Sequence, residues 1–204
     1  FDPELLAPPP PSQGLATLQI LRILERLGIE RHAPGSGQYL HLAVEAVKQA
    51  FIERGRIADP DLSPLDTAVS LAGPAIEAMA DAVDPNTALP WPEPFQPADT
   101  VFLAVADRRG RTVSILQSIY FDWGSGGVVG ETGILWHNRG AAFSTVPGHP
   151  NVIAPSKRPF HTLNPGMALR DGKPALLYGT QGADGQPQTL SVLVPALGAH
   201  GLAP

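Results

Sequence analysis

The sequence contains no cysteine, and this absence removes several kinds of chemistry at once. A chain of 204 residues without cysteine has no disulfides, no thiolate nucleophile and no Cys-ligated zinc site. Such a composition is compatible with oxidising and with reducing compartments. It therefore leaves a cytoplasmic and a periplasmic location equally open.

Basic residues and long apolar runs are also scarce. Lys and Arg total 14 against 19 Asp and Glu, which gives a formal net charge of −5 and an isoelectric point near 5.6. Binding to nucleic acid depends on a cationic surface, so we expect no nucleic-acid partner. No apolar run approaches the roughly 20 residues that span a bilayer, so we expect no membrane partner. Since 43% of the residues are hydrophobic, the chain can still form a folded core.

Common motifs for metal binding and catalysis are missing as well. The six histidines include no pair spaced by four residues, so we expect no metal and no cofactor. There is no GxSxG nucleophile elbow. The glycine-rich stretch 124–127 lacks the Gly-Lys-Ser/Thr ending of a phosphate-binding loop.

The hydrophobic pattern divides the chain into a helical first part and a β-rich second part. Apolar residues spaced by three and four positions, followed by Gly28, predict a helix over 15–27, and a set of apolar residues predicts a second over 38–56. An alanine-rich stretch predicts a third helix over 74–83, and we expect 188–197 to be helical despite Pro195. Apolar runs and turn signals predict strands over 101–106, 112–120, 166–170 and 174–179, the first of them buried. The prolines between 84 and 99 predict a surface linker. The pattern indicates an α+β fold with a joint near Asp99.

Thr100 follows this linker directly and begins the first predicted strand. A threonine at the start of a strand is explained by β-propensity alone. A chemical interpretation exists if the peptide bond between Asp99 and Thr100 is cut, because Thr100 then carries a hydroxyl and a free α-amine. An α-amine has a pKa of about 7.7–8.0, so it can act as the base that activates the hydroxyl. The same hydroxyl can make the cut by attacking the Asp99 carbonyl.

Motifs along almost the whole chain resemble, in order, those of the γ-glutamyltranspeptidase family. They occupy residues 8–14, 46–51, 59–61, 99–100, 121–126, 132–135, 138–140, 143–144, 157–159, 164–165 and 179–182. The resemblance implies the αββα sandwich of N-terminal-nucleophile hydrolases and a precursor that cleaves itself before Thr100. Residues 1–99 would be the C-terminal part of the large subunit, and residues 100–204 the N-terminal part of the small subunit. The beginning of the large subunit and the end of the small one would be missing.

The resemblance carries catalytic roles to four positions. Thr100 matches the nucleophile, and Ser118 stands where the family has a Thr that hydrogen-bonds it. Gly182 and Ala183 stand where two glycines bind the oxyanion. Backbone N–H groups perform that task, so an alanine is acceptable if its φ and ψ permit the turn. Without the other motifs, 179–185 would be interpreted as a plain strand-to-helix turn.

The positions that bind the substrate in this family differ here. Where the family has Asn, Gln and Asp, this chain has Tyr120, Arg139 and Ala142, and the two serines after Arg-Pro are replaced through His161 and Thr162. An acid that would pair with the substrate's ammonium is gone, and an arginine suited to carboxylate binding has appeared. We therefore expect a mainly anionic substrate. A salt bridge on a loop is the alternative interpretation of the arginine.

Four segments resemble the branch of the family that includes oxamate amidohydrolase more than they resemble transpeptidases. They are residues 117–120, 138–140, 158–162 and 184–189. The resemblance implies hydrolysis of a small anionic amide, similar to oxamate, through an ester on Thr100. Cephalosporin-acylase-like proteins can share these residues. Two other hypotheses are a γ-glutamyl transferase or hydrolase acting on glutathione-like substrates, and an unprocessed piece without activity.

Overall fold

The structure, a computed structural model, describes residues 3–92 and 99–202. The helices are α1 (Gly14–Arg26), α2 (Gly37–Arg54), α3 (Thr67–Ser70), α4 (Gly73–Asp81) and α5 (Gly185–Gly198). The strands are β1 (Glu4–Leu6), β2 (Asp99–Ala106), β3 (Thr112–Tyr120), β4 (Gly166–Arg170) and β5 (Lys173–Tyr178). None of the helices in these two ranges is long and apolar enough to cross a bilayer.

The helices form one layer around an apolar core. Ile20, Ile23 and Leu24 of α1 are fully buried, and they pack with Val47 and Phe51 of α2, which confirms the helical spacing read from the sequence. α4 and α5 pack against the same pair of helices. All four predicted helices are present, with ends that differ by up to three residues from the predicted ones.

The strands form two antiparallel sheets. β1, β4 and β5 lie in the order β1-β4-β5, with Glu4 opposite Leu169, so the start of the chain pairs with a hairpin far along the sequence. That hairpin turns at Asp171-Gly172, as predicted. β1 escaped prediction because three residues are too few to show an alternating pattern.

The hairpin of β2 and β3 confirms the predicted pairing but corrects the predicted burial. Val101, Leu103 and Val105 are 57%, 48% and 65% exposed, so the expectation of a strand buried along 101–106 is wrong. β2 pairs with β3 alone, and no described element covers the face that carries these three side chains. Thr100, directly before these residues, is buried.

The parts of the chain before and after Asp99 share their layers. α5 packs on α1 and α2, and an ion pair joins two of the motifs recognised in the sequence. The Asp59 carboxylate accepts hydrogen bonds from Arg158 Nε at 3.0 Å and Nη2 at 2.7 Å, and Nη2 also reaches Asp61 at 2.7 Å. These hydrogen bonds lower the pKa of Asp59 to about 2.

Candidate active site

The predicted cleavage point lies at the start of β2, beside the end of β3. Asp99 is opposite Tyr120, and a bulge interrupts the register between Asp99 and Val101. The Ser118 hydroxyl donates to the Asp99 carbonyl oxygen at 2.6 Å and accepts from the Tyr120 N–H at 2.9 Å. In this uncut chain Ser118 therefore contacts the carbonyl of the bond expected to break, directly before Thr100.

A buried arginine lies beside this hairpin. The guanidinium carbon of Arg139 is 3.6 Å from the ring centroid of Tyr120, and its Nη1 donates to Thr162 Oγ1 at 3.1 Å. Only 2% of Arg139 is exposed, and burial lowers its pKa to about 10, so it remains a cation at neutral pH. Within residues 3–92 and 99–202 no carboxylate lies at ion-pair distance, so the alternative of a loop salt bridge finds no support there.

The backbone holds the tyrosine of this cation–π pair in an unusual conformation. Tyr120 has a φ of 80°, which is uncommon for a residue with a side chain. The Asn138 side chain accepts from the Phe121 N–H at 3.0 Å and donates to the Gly124 carbonyl at 3.0 Å. It thereby ties the loop after β3 to the short 3-10 helix Arg139–Ala142. Ala142, in that helix, brings only a methyl group where the family has an acid.

His161 lies on a segment that runs parallel to residues 11–13. Its N–H donates to the Pro11 carbonyl at 2.8 Å, and its carbonyl accepts from the Gln13 N–H at 2.9 Å. Burial, and after it the charges of Arg139 and His137, lower the pKa of His161 to about 4. The imidazole is therefore neutral at pH 7 and adds no second positive charge beside the arginine.

The turn before α5 has positive φ angles at the two positions predicted to bind an oxyanion. Gly182 has a φ of 105°, which only glycine adopts readily, and Ala183 is left-handed at 45°. Ala183 therefore adopts the turn conformation that the sequence required of it. The left-handed region costs an alanine about 1–2 kcal/mol of conformational free energy. No described residue accepts a hydrogen bond from the N–H of either residue. Two backbone donors are therefore available at this turn.

Close packing places the turn next to β2. A Cβ on Gly179 would come within 2.4 Å of the Phe102 ring, so the chain leaving β5 lies directly against β2. Gln13 Nε2 donates to the carbonyls of Ala183 at 2.9 Å and Thr162 at 2.7 Å, which joins the turn to the partner of the buried arginine. Direct contacts therefore join this turn to β2 and, through Gln13, to Thr162.

Three residues of this assembly had no role in the sequence interpretation. Gln13 lies inside a recognised motif, and Asp184 lies inside one of the segments typical of the branch, so a signal existed for both. Arg54, whose Nη1 donates to Asp184 Oδ1 at 2.6 Å, ends α2 and gave no signal. Among the residues that the structure describes, no three His, Asp or Glu side chains gather in a way that could hold a metal ion.

Known proteins with a similar fold and sequence define the class. The cephalosporin acylase from Bacillus halodurans matches with a TM-score of 0.84 and 29% identity, over all of this chain and 37% of that one. Helices packed on antiparallel sheets, with a threonine at the start of a strand, are the arrangement of an N-terminal-nucleophile hydrolase. The profile described as "Gamma-glutamyltranspeptidase" matches residues 2–200. The chain belongs to the γ-glutamyltranspeptidase family, which confirms the resemblance.

Two curated relatives refine the comparison. The "Oxamate amidohydrolase proenzyme" of Klebsiella pneumoniae is 46% identical over 186 residues, which cover 90% of this chain and 35% of that protein. The "Glutathione hydrolase-like YwrD proenzyme" of Bacillus subtilis is 39% identical over 197 residues, which cover 96% of this chain and 37% of that protein. The chain therefore spans little more than a third of the length of these relatives.

Proposed function

We propose that the protein containing this chain is a self-processing amidase that hydrolyses a small anionic amide. The observation that carries the proposal is Arg139, a buried cation beside the nucleophile hairpin with no carboxylate at ion-pair distance in the described chain. A buried charge is costly unless it is paired, so a bound anionic group is its natural complement. The name of the Klebsiella pneumoniae relative supports a substrate similar to oxamate.

Self-cleavage begins at the threonine hydroxyl. The Thr100 oxygen attacks the Asp99 carbonyl carbon, and the Ser118 hydroxyl stabilises the negative charge that develops on the carbonyl oxygen. The C–N bond breaks, the nitrogen takes a proton, and Asp99 becomes an ester on the threonine. The α-amine is free from this point, and water then hydrolyses the ester to give the Thr100 hydroxyl and the Asp99 carboxyl group. Residues up to 99 then belong to the large subunit and those from 100 to the small subunit.

Turnover uses the same threonine a second time. The α-amine of Thr100 takes the hydroxyl proton, and the oxygen attacks the amide carbonyl of the substrate. The N–H groups of Gly182 and Ala183 stabilise the oxyanion, ammonia leaves with the proton, and water cleaves the acyl-enzyme. Arg139 binds the substrate's carboxylate, with Tyr120 beneath the guanidinium.

The test is a substrate comparison on the full-length protein with Arg139→Met. Ammonia release from oxamate should depend on Arg139: a lost charge-assisted interaction of about 1.5–3 kcal/mol corresponds to a KM about 10- to 150-fold higher. The matched control is Arg109→Met, an exposed arginine in the β2–β3 turn, which should behave as wild type. Equal activity on a neutral amide, unaffected by Arg139→Met, would contradict the proposal.

The same assay distinguishes hydrolysis of an anionic amide from γ-glutamyl transfer. Such an enzyme binds an α-ammonium group, but Ala142 offers no carboxylate for it. We therefore expect release of aniline from a γ-glutamyl anilide to be far slower than release of ammonia from oxamate. The reverse order of rates would favour transfer, and the absence of both activities would favour an unprocessed, silent protein.

A further inference from the structure

The oxyanion turn, Gly182 and Ala183, is hydrogen-bonded by Gln13, a residue near the start of the chain. Gln13 is fully buried, and its Nε2 donates to the carbonyl of Ala183 at 2.9 Å. The second hydrogen of the same amide goes to the carbonyl of Thr162 at 2.7 Å. One side chain therefore fixes two backbone carbonyls, one in the turn and one in the segment that holds the buried arginine.

An ion pair with Arg54 holds Asp184, the residue that follows this turn. Arg54 Nη1 donates to Asp184 Oδ1 at 2.6 Å, and both side chains are about nine-tenths buried. The guanidinium carbon lies 4.2 Å from the ring centroid of Phe51 and 5.6 Å from that of Phe160, so aromatic rings fix its position. Asp184 directly follows Ala183 and precedes the first residue of α5.

The turn needs such support because its backbone conformation is unfavourable. Ala183 is left-handed, which is unfavourable for a residue with a Cβ, next to Gly182, whose positive φ a glycine tolerates. In the relaxed backbone the two N–H groups would not keep their direction, and misplacement of catalytic groups by about 1 Å costs about 100-fold in rate. We propose that Gln13 and Arg54 are positioning residues that hold Gly182 and Ala183 in the oxyanion-binding conformation.

This inference rests on the proposed function, but it makes a separate prediction. Self-cleavage relies on Ser118 at the Asp99 carbonyl, whereas turnover relies on the turn. Loss of the Arg54 support should therefore slow turnover and leave cleavage unchanged. A merely structural role would slow both steps or neither.

The experiment uses Arg54→Met with Asp184→Leu in the full-length protein. Replacing both partners by apolar residues avoids an unpaired buried charge, which can prevent folding when Arg54→Met is made alone. We expect kcat on oxamate to fall about 10- to 100-fold, with KM and the rate of self-cleavage within about threefold of wild type. Arg56→Met is the control, since Arg56 is exposed just after the end of α2 and pairs with Glu53 at 2.7 Å.

Gln13→Met provides an independent variant. It removes the donors to both carbonyls, so kcat should fall and KM should rise, because Thr162 also holds Arg139. Wild-type kcat in the double variant and in Gln13→Met would overturn the inference while leaving the proposed function intact. If the wild-type protein neither cleaves before Thr100 nor hydrolyses the amide, the proposed function itself is wrong.

Discussion

Two buried arginines, Arg54 and Arg139, differ in what the protein provides for them. Arg54 has Asp184 at 2.6 Å, so its charge is matched inside the protein. Arg139 contacts a tyrosine face and one threonine hydroxyl, and the charge of Asp184 acts on it only from beyond ion-pair distance. The first arrangement supports the backbone, and the second suits the binding of an anion. This difference, and not the presence of arginine as such, supports the proposed substrate class.

Ser118 carries the clearest prediction for a single residue. Ser118→Ala removes the donor at the Asp99 carbonyl, and loss of one such donor slows the related step by about 10²–10³. Self-cleavage of freshly translated full-length protein, followed on a denaturing gel, should slow accordingly. Ser118→Thr keeps the hydroxyl that the family uses and should cleave at a rate close to wild type. Cleavage of the alanine variant at the wild-type rate would exclude this role.

The residues to which the family resemblance gives a role could be predicted from the sequence, whereas the residues that act through distant contacts could not, even where they lie in a motif. Thr100 and Arg139 were recognised from their neighbours in the chain. The contact between Arg54 and Asp184 joins positions that only the fold brings together, although Asp184 itself lies in a segment typical of the branch. Gln13 is similar, since its two carbonyl partners both come from the β-rich second part.

At the scale of helices and strands, local sequence patterns predicted the elements whose packing agrees with those patterns. α1 and α2 follow the apolar spacing, and the hairpins follow their turn residues. The prediction that 101–106 is buried was wrong. An apolar run indicates that a strand tends to be covered, but it does not show whether a described element covers it. Three-residue β1 is a strand only because β4 is there to pair with it.

The link between the 59–61 and 157–159 motifs gives a prediction about acid stability. Hydrogen bonds from Arg158 lower the pKa of Asp59 to about 2, below the ordinary value of about 3.9. A carboxylate with a lowered pKa stabilises the fold above pH 4, and this contribution is lost as the pH falls from about 4 to about 2. Asp59→Asn should therefore lower the thermal unfolding midpoint at pH 7, with a difference from wild type that shrinks towards pH 2.

A nearby exposed acid serves as the control for that measurement. Asp61 receives one hydrogen bond from the same guanidinium but is largely exposed, so Asp61→Asn should change the unfolding midpoint much less. A destabilisation by Asp59→Asn that stayed constant from pH 7 to pH 2 would show that the charge of the carboxylate is not what joins the two motifs.

On the scale of the whole molecule, the expected cleavage point does not coincide with a break in packing. β1 pairs with β4, and α5 lies on α1 and α2, so segments from both sides of Asp99 complete each other's layers. Cutting one peptide bond between them removes none of these contacts. We therefore expect the two subunits to remain associated after processing, and the assignment of 1–99 and 100–204 to different subunits stays a prediction.

One face of β2 is apolar and exposed. Val101, Leu103 and Val105 form an apolar row that the described residues leave uncovered, while the chain spans little more than a third of its curated relatives. For this reason the experiments above use the full-length protein. The buried contacts that carry the proposals, those of Arg139 and Arg54, lie within the part described.

Intact-mass analysis of the full-length protein tests the central claim most directly. The account predicts two polypeptides, of which the second begins at Thr100, and a single uncut and inactive chain for Thr100→Ala. The reason is that one hydroxyl performs both the cut and the later attack on the substrate. An unbroken wild-type chain with normal amidase turnover would contradict the account, as would full activity of the Thr100→Ala variant.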